Sequence, residues 1–277
     1  MLIRIKKKIN REGYKGLVLS IFNSFLVYFF NLKIHRNNSI KQNRIAKKIF
    51  LEKTLKYSNS GFFYISPMPN KEELNQYYKS AYWESRENIN LRIILNRRDL
   101  IHFKILKNLF PQSIAKKKVF LNFGSGHGGV SHLLHDLGLE IINIEQGEMP
   151  NYYNKNWSKF SSTKSIKDDS VDVIYSSHSL EHVQNINEVQ NEFKRIIKPE
   201  GILFFEVPNA DSSSTGPKEN KIVIPHTYYF QKIFFKNWFS KAILVKSFIQ
   251  NDYEDIDNFM SYENPNGEII IAIGVLH

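Results

Sequence analysis

The chain has 277 residues, no cysteine, 42% hydrophobic and 14% aromatic residues, and a formal net charge of +11. That composition excludes disulfides, thiolate metal sites and cysteine nucleophiles, and the apolar content excludes wholesale disorder. The charge is unevenly spread: residues 1–60 hold 14 Lys/Arg against Glu12 and Glu52, leaving 24 basic and 25 acidic groups beyond them. A polynucleotide enzyme sets positive potential around its cleft, so this distribution argues against a nucleic-acid partner.

Residues 17–32 read LVLSIFNSFLVYFFNL between Lys15 and Lys33. Sixteen residues, interrupted by Ser20, Asn23, Ser24 and Asn31, fall short of the roughly 20 that a membrane-spanning helix needs. No small-residue cleavage site follows, which argues against a secretory signal. Two readings stay open here: a helix packed on the main domain, or an interfacial helix held to anionic lipid by its flanking lysines. The expected location is accordingly cytoplasmic, with peripheral contact at the inner face of the membrane under the second reading.

Beyond the Asn37-Asn38-Ser39 break, residues 40–58 are amphipathic and basic, and Ser58-Asn59-Ser60-Gly61 reads as a turn before a strand at Phe62–Ile65. Pro67 and Pro69 end it, and Asn70 is positioned to cap a helix beginning KEEL, with Glu72 and Glu73 in the first turn. A further helix is expected over about 90–110, with Ile94, Leu100 and Ile101 among its apolar positions. From Lys118 onward short apolar runs alternate with helical periods. Strands are expected at Val119–Phe123, Leu139–Ile144, Val171–Tyr175, Ile202–Val207, Ala242–Phe248 and Gly267–Val275. Helices fall between them, one with Val130, Leu133, Leu134 and Leu137 on a face, another over Asn187–Lys198 with Val189, Phe193, Ile196 and Ile197. Alternating strands and helices imply parallel pairing by right-handed crossovers, and the last two strands, with no helix between them, imply an antiparallel end. The expected organisation is a basic and apolar segment over 1–40, a hairpin with helices forming a lid or cap over 41–110, and an α/β cofactor-binding domain over 111–277.

The strand VFLNF runs into Gly124-Ser125-Gly126-His127-Gly128-Gly129 and then a helix. Glycines there permit a tight bend and close approach of backbone to a ligand. Glu145 ends the next strand, and a carboxylate in that place can accept hydrogen bonds from both hydroxyls of a ribose. These features describe two cofactor classes equally well, since Gly124, Gly126 and Gly129 also satisfy the dinucleotide pattern G-x-G-x-x-G.

LNFGSGHGG (121–129) resembles the first motif of class I S-adenosylmethionine (SAM)-dependent methyltransferases. VDVIYSSHSLEHV (171–183) resembles that family's fourth strand and following turn, and EFKRIIKPEGILFFEVPN (192–209) its fifth-strand segment. IPHTYYF (224–230) and the lead-in SPMPNKEELNQYYKSAYW (66–83) are similar to a bacterial subgroup linked to small-molecule or cell-surface glycan methylation. Asn122 stands where the family has an acidic residue, and Glu200 where it has the first glycine of a turn. The resemblance implies a Rossmann-like, mostly parallel sheet with an antiparallel C-terminal strand, behind a helical N-terminal extension. It implies SAM as cofactor, held by Gly124, Ser125, Gly126, Gly128, Glu145 and Ser176, with Ser162 and Thr163 flanking the adenine. An oxidoreductase with a nicotinamide dinucleotide is the rival reading, but such enzymes continue into a second dinucleotide-binding half, whereas this chain ends in an antiparallel pair. A non-catalytic SAM-binding relative and a membrane-anchored scaffold are the other rivals.

Methyl transfer from a sulfonium needs alignment and desolvation, and a hydroxyl acceptor also needs a base. His178, where the fourth strand ends, and His226, after the polar run Asp211–Asn220 that is expected to act as a lid, are the candidate bases. Glu181 and His182 read as a mutually satisfied pair, Asn209 as a turn former or an acceptor-orienting side chain, and Tyr82 and Trp83 as packing. An i, i+4 histidine pair offers two metal ligands, and with no third in view no metal is expected. The expected activity is O-methylation of a small or glycan-linked acceptor in cell-surface polysaccharide biosynthesis. The oligomeric state is not set by the sequence.

Overall fold

The computed structural model describes residues 44–50, 53–78, 95, 97–109, 118–126, 128–146, 157–217, 225–249 and 263–276. The apolar run 17–32, Tyr82, Trp83, Ile94 and the end of the expected lid lie outside those residues. Among the described residues no helix is long and apolar enough to cross a membrane.

A short helix over 44–50, α1, leads into the hairpin β1 (Thr54–Ser58) and β2 (Phe62–Ser66). Helix α2 (Lys71–Tyr77) follows with the anticipated cap: Asn70 accepts from the Glu73 N–H at 2.8 Å, and Glu73 accepts from the Asn70 N–H at 2.8 Å. Helix α3 is Arg97–Leu109, which buries Ile101, Ile105 and Leu106 but leaves Leu100 exposed.

The main sheet comprises β3 (Val119–Phe123), β4 (Glu140–Ile144), β5 (Ser158–Phe160), β6 (Val171–Ser177), β7 (Ile197–Pro208), β9 (Lys241–Phe248) and β10 (Ile269–Val275). Its spatial order is β5-β4-β3-β6-β7-β10-β9. The pairs among β3 to β7 are parallel, whereas β10 runs antiparallel to both β7 and β9. This is the expected Rossmann-like sheet with its antiparallel end. Helices α4 (Gly129–His135) and α5 (Ile186–Ile196) follow β3 and β6, and α6 (Lys232–Trp238) precedes β9.

Further details differ from the sequence reading. Helix α4 ends at His135, so Leu137 is exposed and not part of the apolar face, and Ile197 opens β7 and does not close α5. Glu200, in the turn-glycine position, takes φ +61°, the left-handed backbone that glycine adopts without strain.

A second, three-stranded sheet joins the hairpin to β8 (Tyr228–Phe230) in the order β1-β2-β8, with Phe62 opposite Phe230. Helix α3 shares a core with Phe120, Val130, Leu134, Tyr175 and Phe204 on one face of the main sheet. On the other face, Phe205 is fully buried and stacks on Trp238 at 4.9 Å and on Phe193 at 5.9 Å. Truncating Phe205 to alanine removes the ring that α5, α6 and β7 share. Denaturant unfolding of Phe205→Ala should show a loss of about 3–5 kcal/mol; a loss under about 1 kcal/mol would mean that these layers do not depend on it.

Candidate active site

At the C-terminal end of β3 the backbone turns sharply: Gly124, Gly126 and Gly128 have φ of +69°, +50° and +66°. The bend is tied to β4, because the Gly124 and Ser125 N–H groups both donate to the Ile144 carbonyl, at 2.9 and 3.1 Å. Glu145, one residue beyond β4, accepts from the Gly126 N–H at 3.0 Å through Oε2. Beneath the bend, Asn122 donates to Ser131 Oγ at 2.9 Å, which donates to Asn143 at 2.8 Å. Asn122, in the family's acidic position, thus anchors the start of α4 within the core.

Gly124 and Gly126 are glycines for different reasons. A Cβ on Gly124 would lie 2.0 Å from Ser179 Oγ, whereas a Cβ on Gly126 would meet nothing within 4 Å. The first glycine lets two chain segments touch; the second fronts open space. The Ser179 hydroxyl donates to the Gly124 carbonyl at 3.2 Å, so the bend after β3 lies directly against the bend after β6.

That second bend carries His178, whose φ of +50° is uncommon for a residue with a side chain. Its N–H donates to the Glu206 carbonyl at 2.9 Å, and its ring spans two carboxylates: Nδ1 lies 3.2 Å from Glu181 Oε1 and Nε2 lies 3.0 Å from Glu206 Oε1. Burial would lower the His178 pKa, but the hydrogen bonds to Glu181 and Glu206 outweigh it and push it up to about 10. His178 is therefore an imidazolium near neutrality, donating from both nitrogens.

Glu206 is fully buried and reaches three histidine or hydroxyl partners. His102 Nε2 lies 2.7 Å from its Oε2, Ser177 donates to Oε1 at 3.2 Å, and His102 Nδ1 lies 2.7 Å from the Tyr175 hydroxyl. Burial would raise the Glu206 pKa, yet His102 and His178 hold it well below the usual carboxylate range. Neither Glu206 nor His102 was legible as a site residue in the sequence. The one available signal was a carboxylate inside the apolar run ILFFEVP of β7.

Glu181 sits in a one-turn 3-10 helix (Leu180–His182), 1% exposed. Burial would raise its pKa, but the His178 hydrogen bond and the neighbouring imidazoles hold it down at about 2. It bonds to His178, not to His182, whose Nε2 lies 3.8 Å away. His182 and His226 bring their rings to 5.0 Å of one another. Burial lowers the pKa of both, that of His226 to about 4, so both imidazoles are neutral near neutrality. The structure thus gathers the two histidines singled out as bases into one cluster around Glu181, two residues after Ser179, which touches the glycine bend.

Other expected site residues have structural partners. Thr163 donates to Glu192 at 2.8 Å, Ser162 caps the 3-10 turn Thr163–Ser165, and the Asn209 side chain bonds to the Gly267 carbonyl and the Asp211 N–H. Ser125 and Ser176, by contrast, are buried with hydroxyls that have no hydrogen-bond partner. Two orphaned hydroxyls, open space at Gly126 and a carboxylate at the end of β4 fit a polar nucleoside lying along the bend.

The model of the methyltransferase domain family matches residues 94–261, more than half of the chain, and the protein belongs to that family. It is a methyltransferase by family, and of the two cofactor classes compatible with the glycine bend, that membership favours a methyl donor over a nicotinamide dinucleotide. Similar solved structures include an S-adenosylmethionine-dependent methyltransferase from Mesorhizobium loti (12% identity, 62% of this chain and 96% of that one, TM-score 0.46). Another is a SAM-dependent methyltransferase from Archaeoglobus fulgidus (18% identity, 63% and 93%, TM-score 0.44). A protein from Pyrococcus horikoshii is also similar (16% identity, 71% and 98%, TM-score 0.49). No curated protein sequence matches the chain.

Because a side chain at Gly126 enters open space, Gly126→Val should fold, at a cost of about 1–2 kcal/mol for the left-handed backbone, and lose saturable SAM binding in calorimetry. Affinity equal to that of the parent chain would show that SAM does not lie along this bend.

Proposed function

We propose that the chain methylates a hydroxyl of a small or glycan-linked acceptor in cell-surface polysaccharide biosynthesis, with the acceptor held against the histidine–carboxylate cluster. The observation that carries the reading is the contact between Gly124 and Ser179, which sets that cluster beside the cofactor bend. On this reading Gly124, Ser125, Gly126 and Gly128 cradle SAM, Ser176 flanks it, and Glu145 takes the ribose diol. Bound SAM supplies a methyl group already activated on a sulfonium, so the protein's tasks are alignment, exclusion of water and removal of a proton.

The cluster divides that work unequally. His178, with both nitrogens on carboxylates, is a fixed positive charge that orders the bend after β6. His226 is neutral and its Nδ1 is buried with no partner. Proton loss from the acceptor therefore belongs to the His226 end of the cluster. The hairpin sheet supports that end, since β8, two residues beyond His226, pairs with β2.

Release of S-adenosylhomocysteine tests this with a panel of sugar and sugar-nucleotide acceptors. His226→Ala should lower kcat by about a hundredfold or more while the SAM Kd stays within a factor of about two of the parent. Unchanged turnover in the variant would remove proton loss from this end of the cluster. Turnover with amines but with no hydroxylated acceptor would overturn O-methylation.

A further inference from the structure

The geometry points to a binding site for one divalent transition cation, of the Zn2+ class, formed by Glu181, His182 and His226. Each of these residues offers a ligand atom, and the three atoms lie within 4.8 Å of one another, a spacing that lets all three face one ion at bonds of about 2.0–2.2 Å.

Independent observations point the same way. Glu181 Oε2 is buried with no hydrogen-bond partner, although Glu181 is 1% exposed, and His226 Nδ1 is buried without one as well. A buried polar atom left unmatched costs about 1–3 kcal/mol, and more for a charged group, so two of them on residues of one cluster are the kind of unmet need that a shared ligand satisfies. The cation is such a ligand, because it takes a lone pair from each and leaves no donor or acceptor over.

The surroundings orient these groups as ligands. His182 Nδ1 faces the Pro225 carbonyl at 3.5 Å, which sets its proton there and leaves Nε2, 3.8 Å from Glu181 Oε1, to donate its lone pair. His178 donates to Glu181 Oε1, so a second-sphere partner steers the carboxylate as well. Thr227 locks the two ligand segments together: its N–H and hydroxyl donate to the Glu181 carbonyl at 2.7 and 2.9 Å, and the hydroxyl also donates to the Val183 carbonyl at 2.7 Å. The ligands are thus in place before the ion arrives.

Ligand chemistry selects the ion. Two imidazoles and one carboxylate suit Zn2+, Mn2+ or Fe2+, whereas Mg2+ and Ca2+ favour sets made of oxygen alone. Three protein ligands leave at least one coordination position open, as at catalytic zinc centres. Resting on the function proposed above, that position would take the acceptor hydroxyl, whose proton the cation makes easier to lose to water. His226 then acts as a ligand, and the charge of the ion removes the need for it to carry a proton. The His178–His182 pair weighed from the sequence is not the ligand pair; His182 and His226 are, and their residues are separated by a strand and a helix.

The test is calorimetric titration of the full chain, stripped with chelator, with Zn2+ alone and then with SAM. Saturable uptake of one equivalent is expected, lost in His226→Ala and in His182→Ala, unchanged in the surface variant His135→Ala, and weakened about 10- to 100-fold in His178→Ala. Circular dichroism of the half-buried His226→Ala variant confirms that it remains folded. Absence of stoichiometric uptake by the parent chain, or uptake that survives both ligand variants, overturns the site. SAM binding without Zn2+ uptake sinks this inference alone, whereas Zn2+ uptake with turnover on amines only sinks the proposed acceptor and leaves the site standing.

Discussion

Two backbone bends, one after β3 and one after β6, meet where Gly124 lies under Ser179, and the proposed function rests on that contact. A Cβ on residue 124 would sit 2.0 Å from the serine hydroxyl, so only glycine lets the segments close. One bend presents backbone, Ser125 and open space; the other presents His178 and leads into Glu181 and His182. The parallel order of β4, β3, β6 and β7 puts both bends at the carboxyl edge of the sheet, where open α/β sheets bind ligands.

Burying two carboxylates beside that edge is costly unless each is matched. Glu206 is matched by His102, His178 and Ser177, and at 3.6 Å by Arg98. One oxygen of Glu181 is matched by His178 and the other is not. His178 bridges the two acids and holds a left-handed backbone to do so, the kind of local strain that surrounding structure must over-determine. The same arrangement that makes His178 a poor proton acceptor makes it a rigid support for its neighbours.

The main sheet was largely legible in the sequence because its signals are local. Apolar runs bounded by turns marked β3, β4, β6, β7, β9 and β10, and the absence of a helix between the last two foretold their antiparallel pairing. The Asn70 cap was legible for the same reason. Elements that depend on distant partners were not. Strand β8 has three residues and exists because Phe230 meets Phe62 of the hairpin, and β5, also three residues, rests on its pairing with β4.

The candidate site divides along the same line. The glycine bend and Glu145 are a pattern within 22 residues and were visible, whereas Glu206 and His102 stand 104 residues apart and no periodicity connects them. His226 was singled out as a candidate base, but its place beside Glu181 and His182 was not visible, since Thr227 and the hairpin sheet bring it there. The most direct measurement of the central claim is calorimetric titration of the unmodified chain with SAM, S-adenosylhomocysteine and NAD. The account predicts saturable one-to-one binding of the first two and none of NAD; a folded chain that takes up NAD, or that ignores all three, would contradict it.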